Sequence, residues 1–118
     1  DTWLGNWNGN GDRWQGFVGN MDVVIDLGKL TVVRSVKASF LFVPTGGQYL
    51  PDSVEVSLSD DNSHFTTVYN HKITSDYTYL YDIKTYGWTG YAYTRYIRYH
   101  ATKPIAWGDL LCDEVIVK

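Results

Sequence analysis

The chain contains 118 residues with a formal net charge of -3 at pH 7, and 44% of its residues are hydrophobic. This length and composition predict one globular domain over residues 1–118 and exclude an intrinsically disordered tail. The 10 lysines and arginines are scattered, which argues against nucleic acid as a partner, and no apolar stretch approaches the roughly 18 residues of a membrane span.

The first twenty residues are rich in glycine, asparagine and tryptophan and have no helical or strand period, which predicts a loop region. Side chains that carry oxygen recur there at every second position: Asn6, Asn8, Asn10 and Asp12. Calcium is bound by several oxygen atoms, so this pattern predicts a structural calcium site with Asn8 and Asp12 among its ligands. A tight loop held by Asx turns is the alternative interpretation.

The next segments have the composition of β-strands. Residues 21–27 predict a strand closed by Gly28 and Lys29, and residues 31–43 predict a long strand whose mixed period indicates a bend or a change of sheet. After a loop at residues 44–51, apolar side chains alternate with polar ones in a half-buried strand, with Val54, Val56 and Leu58 facing one way. Residues 60–63 predict a turn.

The second half of the chain continues in the same way. Strands are predicted at residues 65–69, 77–86, 93–102 and 111–117, with an aromatic loop at 86–91 and another loop at 103–109. About eight strands without a convincing helix predict an all-β fold, a jelly-roll β-sandwich. The single cysteine, Cys112, lies in an apolar strand and is expected to be a buried, unreactive thiol.

Aromatic residues make up 16% of the chain, more than a core of this size requires. Three of them lie within two residues of glycine or proline in predicted loops: Tyr49, Trp88 and Trp107. The C–H face of a pyranose stacks on such a ring while its hydroxyls need hydrogen-bonding groups, for which the candidates are Gln48, Arg13 and Asn10. Packing of each ring against the fold is the alternative interpretation, and Trp3 and Trp14 are assigned to packing.

No set of catalytic residues emerges from the sequence. His64, His71 and His100 have no metal-ligand spacing, and motifs for a serine or cysteine nucleophile are absent. Asp113 and Glu114 are adjacent on a predicted strand and should face opposite sides, which does not suit the carboxylate pair of a glycosidase. We therefore expect that the chain is not an enzyme.

Four segments, in order, resemble the discoidin or coagulation-factor type C domain: residues 22–28, 54–61, 96–99 and 113–117. The opening DTWLG and the later RWQGF are similar to the C-terminal domain of bacterial β-N-acetylhexosaminidases, the chitobiase-like enzymes. The resemblance implies a galactose-binding-domain-like jelly roll with ligand loops at one end. It also implies a structural calcium ion, whose ligands would be Asp1 and Glu114.

The sequence departs from that family at two places. The usual Asp-Gly start reads Asp1-Thr2, and the Pro-Arg loop of galactose binders reads Pro44-Thr45, which argues against galactose as the ligand.

Together these features predict a carbohydrate-binding module that holds a hexose or N-acetylhexosamine glycan and directs an attached glycosidase to it. Bacterial members of the family belong to secreted enzymes, so a periplasmic or extracellular monomer is expected, cut from a larger protein and adjoining a catalytic domain. The alternative is a structural spacer or protein-docking domain without a working sugar site. A small independent enzyme is the third possibility, and it would have to hydrolyse a glycoside by itself.

Overall fold

The protein is all-β in the part of the chain described by its structure, a computed structural model that covers residues 15–17, 20–42, 49–73, 82–103 and 110–118. Six strands are formed there: β1 Gln15–Phe17, β2 Met21–Phe42, β3 Ser53–Ser59, β4 Thr66–Lys72, β5 Asp82–Thr102 and β6 Leu110–Val117. No helix occurs within these ranges. The predicted fold class is confirmed at this level, while the prediction of about eight strands extends to residues outside the described ranges.

The six strands form one antiparallel sheet in the order β1-β6-β2-β5-β3-β4. Its centre is the pair of β2 and β5, which have 22 and 21 residues. These two strands remain paired from Met21 opposite Ala101 to Phe42 opposite Asp82. Strands β6 and β3 pair directly with this central pair, while β1 and β4 form the edges by pairing with β6 and β3.

The first irregularity of the central pair lies where the sequence predicted the end of a strand. Asp26 is opposite Tyr96 and Thr31 is opposite Thr94, so four residues of β2 lie across from Arg95 alone. Gly28 has a φ of 87° in this bulge, and its N–H donates to Asp26 Oδ1 over 2.8 Å. The prediction that Gly28 and Lys29 close the strand is thus wrong, because β2 continues through them.

The sheet folds over onto itself at the middle of β2 and β5. The hydroxyl of Tyr99 donates to the carbonyl oxygen of Tyr86 over 2.8 Å, although both residues belong to β5 and 13 positions separate them. A straight strand would place them about 43 Å apart at ~3.3 Å per residue. Phe40 of β2 lies between the two layers, with its ring centroid 6.3 Å from those of both Tyr86 and Tyr99. The sheet is therefore sandwich-like, with two layers joined by the bent strands.

The core fills the space between these layers. One layer contributes the buried side chains of the first part of β2, the whole of β3 and the last part of β5; the other contributes those of the second part of β2, the first part of β5 and β6. The largest fully buried side chains are Tyr99, Phe40, Met21, Leu50, Ile97 and Leu110. Cys112 is also fully buried, as predicted, and burial raises the pKa of its thiol.

Strand β3 confirms the predicted inward face and corrects the predicted outward one. Val54, Val56 and Leu58 are buried, as expected. Ser57 and Ser59, expected to face solvent, are buried as well. The Ser57 hydroxyl is 3.2 Å from the Thr67 hydroxyl of β4, and Ser59 is used in the turn that follows. Short hydroxyl side chains fit these positions because strand β4 provides a partner for Ser57 and the following turn provides partners for Ser59.

The predicted aromatic loop at residues 86–91 is part of strand β5. Gly87 lies opposite Lys37 and Trp88 lies opposite Val36 in regular pairing with β2. A second shift in the pairing of β2 with β5 lies between Val33 and Ser35, which corresponds to the mixed period predicted for residues 31–43. Position 87 requires glycine because the backbone of β2 passes close to it. A Cβ there would meet the Val36 carbonyl oxygen and lie 2.6 Å from the Lys37 Cα.

Candidate functional site

Two of the three rings predicted to stack on sugar lie in the described residues. Tyr49 lies outside the strands, as predicted, whereas Trp88 lies in strand β5. Tyr49 is half-buried and packs edge-on against Phe42, with ring centroids 6.3 Å apart. Trp88 is half-buried against the core, and its indole lies over Gly90, where a Cβ would be 2.8 Å from Cε2. Packing therefore accounts for a large part of both rings, and the loop position predicted for Trp88 is wrong.

Most other predicted site residues fall outside the described ranges. These are the sugar-binding candidates Gln48, Trp107, Arg13 and Asn10, and the calcium candidates Asp1, Asn8 and Asp12. The remaining calcium candidate, Glu114, is half-buried in β6. It lies in an irregular stretch where the pairing with β2 shifts between Ala38 opposite Val115 and Phe40 opposite Cys112.

A cleft of about 380 Å³ opens at the bend, between β5 and the turn that joins β3 to β4. It exists because β3 ends at Ser59, opposite Tyr96, so β5 loses this neighbour at the residues just before. The hydroxyl of the buried Thr94 closes the inner end by donating to the Ser59 carbonyl oxygen over 2.9 Å. Its lining combines apolar, hydroxyl and ionisable side chains: Leu58, Val68, Ala92, Ser59, Thr66, Thr94, Tyr93, Asp60, Asp61 and His64.

The wall of the cleft is a turn organised by one carboxylate. Asp61 Oδ1 accepts hydrogen bonds from the backbone N–H groups of His64 and Ser63, each over 2.9 Å, and from the Ser59 hydroxyl over 3.0 Å. Its Oδ2 lies 3.0 Å from Nδ1 of His64. These bonds, with the His64 N–H the largest contribution, hold the pKa of Asp61 well below its ordinary value of 3.8. Asp61 is thus an ionised part of the turn although its side chain is exposed, and Asp60 beside it is exposed as well.

Beside the cleft, the outer face of β5 carries two exposed rings. Tyr93 is 61% exposed and also lines the cleft, and Tyr91 is 66% exposed two positions earlier on the same face. Val32 of β2 is the cross-strand partner of Tyr93. The guanidinium carbon of Arg34 lies 5.1 Å from the ring centroid of Tyr91, in a cation–π contact. This surface, formed by Val32, Arg34, Tyr91 and Tyr93, is called the tyrosine face below.

The predicted elements do not bring the tyrosine face together, because Tyr91 falls in the predicted loop at residues 86–91 and Tyr93 at the start of the predicted strand at 93–102. The available signal was alternation, since Tyr91 and Tyr93 are interleaved with the smaller residues Ala92 and Thr94. In a strand of period two, that pattern places the small side chains inward and the rings outward. The structure shows this arrangement, with Thr94 buried and both rings exposed.

Two other aspartates with a shifted pKa, Asp22 and Asp26, form ion pairs with arginines. Arg98 donates to both oxygens of Asp22, each over 2.8 Å, and Arg95 donates to those of Asp26 over 2.8 and 3.0 Å. The hydrogen bonds from these arginines lower the pKa of both aspartates. A glycosidase acid needs a raised pKa instead. Within the described ranges, histidine, cysteine and acidic side chains form no group of three that could hold a metal.

Among the residues that the structure describes, there is no helix long and apolar enough to cross a membrane.

Among solved structures, the chain is similar to chitosan-binding module 1 derived from a chitosanase/glucanase of Paenibacillus sp. IK-5. The likeness has a TM-score of 0.55 and 22% sequence identity, and it covers 91% of this chain and 77% of that one. It therefore shows a shared fold. No family model matches the sequence, and no curated protein matches it.

Proposed function

We propose that the protein is a non-catalytic carbohydrate-binding module whose ligand lies in the cleft against Tyr93. The observation that carries this proposal is the position of Tyr93, a 61% exposed ring at the edge of a cleft that also holds hydroxyl and carboxylate groups. A pyranose needs this combination, because its C–H face stacks on an aromatic plane while its hydroxyls require donors and acceptors. The fold shared with a chitosan-binding module supports the proposal.

The chemistry of the cleft suits hexose or hexosamine sugars. Asp60 and the Thr66 hydroxyl offer hydrogen bonds to sugar hydroxyls, and two adjacent carboxylates favour a sugar that carries an ammonium group. Because Asp61 is committed to the turn, Asp60 is the carboxylate assigned to the ligand. The neighbouring structure is named for binding chitosan, which supports hexosamine units as the ligand class.

The expected affinity is low. A monosaccharide of about 12 heavy atoms at roughly -0.3 kcal/mol per atom binds with about -4 kcal/mol, a dissociation constant on the order of 1 mM. Weak binding becomes useful when the module is tethered to an enzyme, because the tether raises the effective concentration of the enzyme at the glycan. We propose such a tether to a glycosidase catalytic domain, in a bacterial periplasmic or extracellular protein. The origin of the neighbouring module in a chitosanase/glucanase supports this.

The finer architecture is proposed to be a discoidin-type jelly roll, close to the C-terminal domain of hexosaminidases, and monomeric. The bent central strands support it, since jelly rolls are double-layered sheets whose strands pass between layers. A structural calcium ion with Asp1, Asn8, Asp12 and Glu114 as ligands belongs to the same proposal. Gln15 of β1 lies opposite Cys112, two residues before Glu114, so the strand that follows the oxygen-rich segment pairs close to that glutamate.

The alternative is a spacer or docking domain without a sugar site. The observation that favours it is the packing of Tyr49 and Trp88 against the core. This packing reduces the ring surface that these two side chains can offer to a sugar. The two proposals differ in whether any glycan binds.

Isothermal titration of the protein with glucosamine, N-acetylglucosamine and galactose, and with glucosamine oligomers, tests the proposed function. We expect millimolar binding of at least one hexosamine, weakened about tenfold by Tyr93→Ala. Val24→Ala is the matched control, since Val24 is 48% exposed on the outer face opposite Arg98 and does not line the cleft. Loss of binding in Tyr49→Ala but not in Tyr93→Ala would move the site to the loop end. If no probe binds, the proposal of a spacer or docking domain is the one that remains.

A further inference from the structure

The proposed cleft continues without interruption onto the tyrosine face. Tyr93 belongs to both, because it lines the cleft and stands on the outer face of β5. Tyr91 follows on the same side of the strand, about 7 Å away at two residues' rise. Ala92, which lies between the two tyrosines in the chain, also lines the cleft. The surface therefore extends from a polar pocket to two successive rings along one strand.

The two rings are more exposed than packing between strands requires. Val24, Leu30 and Val32, the other large exposed apolar side chains among the described residues, are 41–48% exposed, whereas Tyr91 and Tyr93 are 66% and 61% exposed. The Arg34 guanidinium covers one side of the Tyr91 ring at 5.1 Å and leaves the remainder to solvent. A flat ligand can therefore reach both rings while Arg34 supports one of them.

The dimensions of this surface favour a glycan over a protein as its occupant. A stable protein interface buries about 800 Å² on each partner and engages roughly 20 or more residues. The tyrosine face has four side chains, and the ion pairs of Asp26 with Arg95 and Asp22 with Arg98 occupy the outer face farther along the strands. A row of pyranose rings requires only rings in sequence with polar groups at their edges.

We propose that the ligand is a glycan chain of at least two sugar residues, one held at the cleft against Tyr93 and the next stacked on Tyr91. This inference rests on the proposed function and deepens it, since it assigns a second stacking position and makes the module selective for chains over single sugars.

The test compares glucosamine with its β-1,4-linked dimer and trimer by isothermal titration, for the wild type and for Tyr91→Ala and Tyr91→Phe. The wild type is expected to bind the dimer about tenfold more tightly than the monosaccharide, the order expected of one added ring contact. Tyr91→Ala should remove that gain and leave monosaccharide affinity unchanged, while Tyr91→Phe retains it. The matched control is Tyr96→Ala, which removes another β5 tyrosine under an arginine, with Arg95 4.9 Å from the ring.

The outcomes separate this inference from the function on which it rests. Equal affinity for monosaccharide and dimer in the wild type, or a full chain-length gain in Tyr91→Ala, overturns the second stacking position and leaves sugar binding at Tyr93 standing. Absence of binding to every probe overturns both. Analytical ultracentrifugation provides a further check. If the wild type sediments as a dimer and Tyr91→Ala as a monomer, the second stacking position is overturned, because the tyrosine face would then be an interface between two copies of the chain.

Discussion

Tyr99 and Tyr86, 13 residues apart in strand β5, are joined by a hydrogen bond from the Tyr99 hydroxyl to the Tyr86 carbonyl oxygen over 2.8 Å. The bond spans the two layers of the sheet at the centre of the core, where Tyr99 is fully buried. Burial raises the pKa of this phenol well above its ordinary value, so the hydroxyl remains a donor. The fold-over of β5 is thus fixed by one protonated side chain within the core.

We expect Tyr99→Phe to lower the free energy of unfolding by about 1–2 kcal/mol, because it keeps the ring and deletes only a buried donor. Urea unfolding measures this. Tyr91→Phe, at an exposed position, is the control and should change nothing. Equal stabilities of Tyr99→Phe and the wild type would mean that the hydrogen bond adds nothing to the fold-over.

Gly87 and Gly28 should respond differently to alanine. At Gly87 a Cβ would collide with backbone of β2, so we expect Gly87→Ala to cost at least about 3 kcal/mol or to prevent folding. At Gly28 no atom lies within 4 Å of a Cβ, and only the φ of 87° opposes alanine, at about 1–2 kcal/mol. Thermal unfolding of both variants decides the matter. A Gly28→Ala variant less stable than Gly87→Ala would contradict the close approach of β5 to β2.

The Asp61 turn should make stability sensitive to acid. The pKa of Asp61 is lower in the folded protein than its ordinary value of 3.8. Its contribution is therefore fully present above pH 3.8 and is lost as the pH falls through the folded-state pKa. We expect Asp61→Asn to be less stable than the wild type at neutral pH and to show a shallower loss of stability below pH 4.

Circular dichroism melts across that pH range measure the effect, and Asp60→Asn is the matched control because Asp60 is the exposed neighbour in the same turn. Parallel pH profiles for Asp61→Asn and the wild type would show that the turn does not depend on this carboxylate.

Cys112 should resist alkylation in the folded protein. Its side chain is fully buried, and burial raises the pKa of the thiol, so almost no thiolate is available at pH 8. We expect iodoacetamide to modify it only as fast as the protein opens, and rapidly in urea. Mass spectrometry follows the reaction, with the urea-unfolded chain as the reference. Rapid modification of the native protein would mean that β6 separates readily from the sheet.

The proposed calcium ion should raise the melting temperature. At 100-fold excess over its dissociation constant a bound ion stabilises by about 2.7 kcal/mol, several degrees for a domain of this size. A chelator should remove that gain, and Glu114→Gln should reduce it while Glu55→Gln, on β3, leaves it intact. If a chelator does not change the melting temperature of a calcium-loaded sample, the proposed structural calcium ion is excluded.

The local sequence pattern is sufficient to predict strands and turns whose conformation does not depend on distant residues. Alternation in β3 identified Val54, Val56 and Leu58 as buried, and the turn at residues 60–63 was evident from its short polar side chains. Prediction from the local pattern fails where distant residues determine the backbone conformation. At the Gly28 bulge, Asp26 pairs with Arg95, which is 69 positions from Asp26, so the local sequence around Gly28 looks like the end of a strand.

The candidate site was harder to predict because its parts come together only through the fold. Gly87 looked like a loop residue, yet it is small because β2 passes against it. The cleft depends on where β3 ends relative to β5, which no property of either segment specifies. The sequence therefore indicated Trp88, a ring in a glycine-rich segment, and offered no reason to select Tyr93, which lies in a strand.

The bend of the two longest strands has a consequence for how the molecule unfolds. Because β2 and β5 each supply residues to both layers, a layer cannot melt while its counterpart remains intact. Unfolding should be a single concerted transition, and refolding should be slow, since most pairings join segments far apart in sequence. The same continuity means that cutting the chain at the bend would yield no half that folds independently.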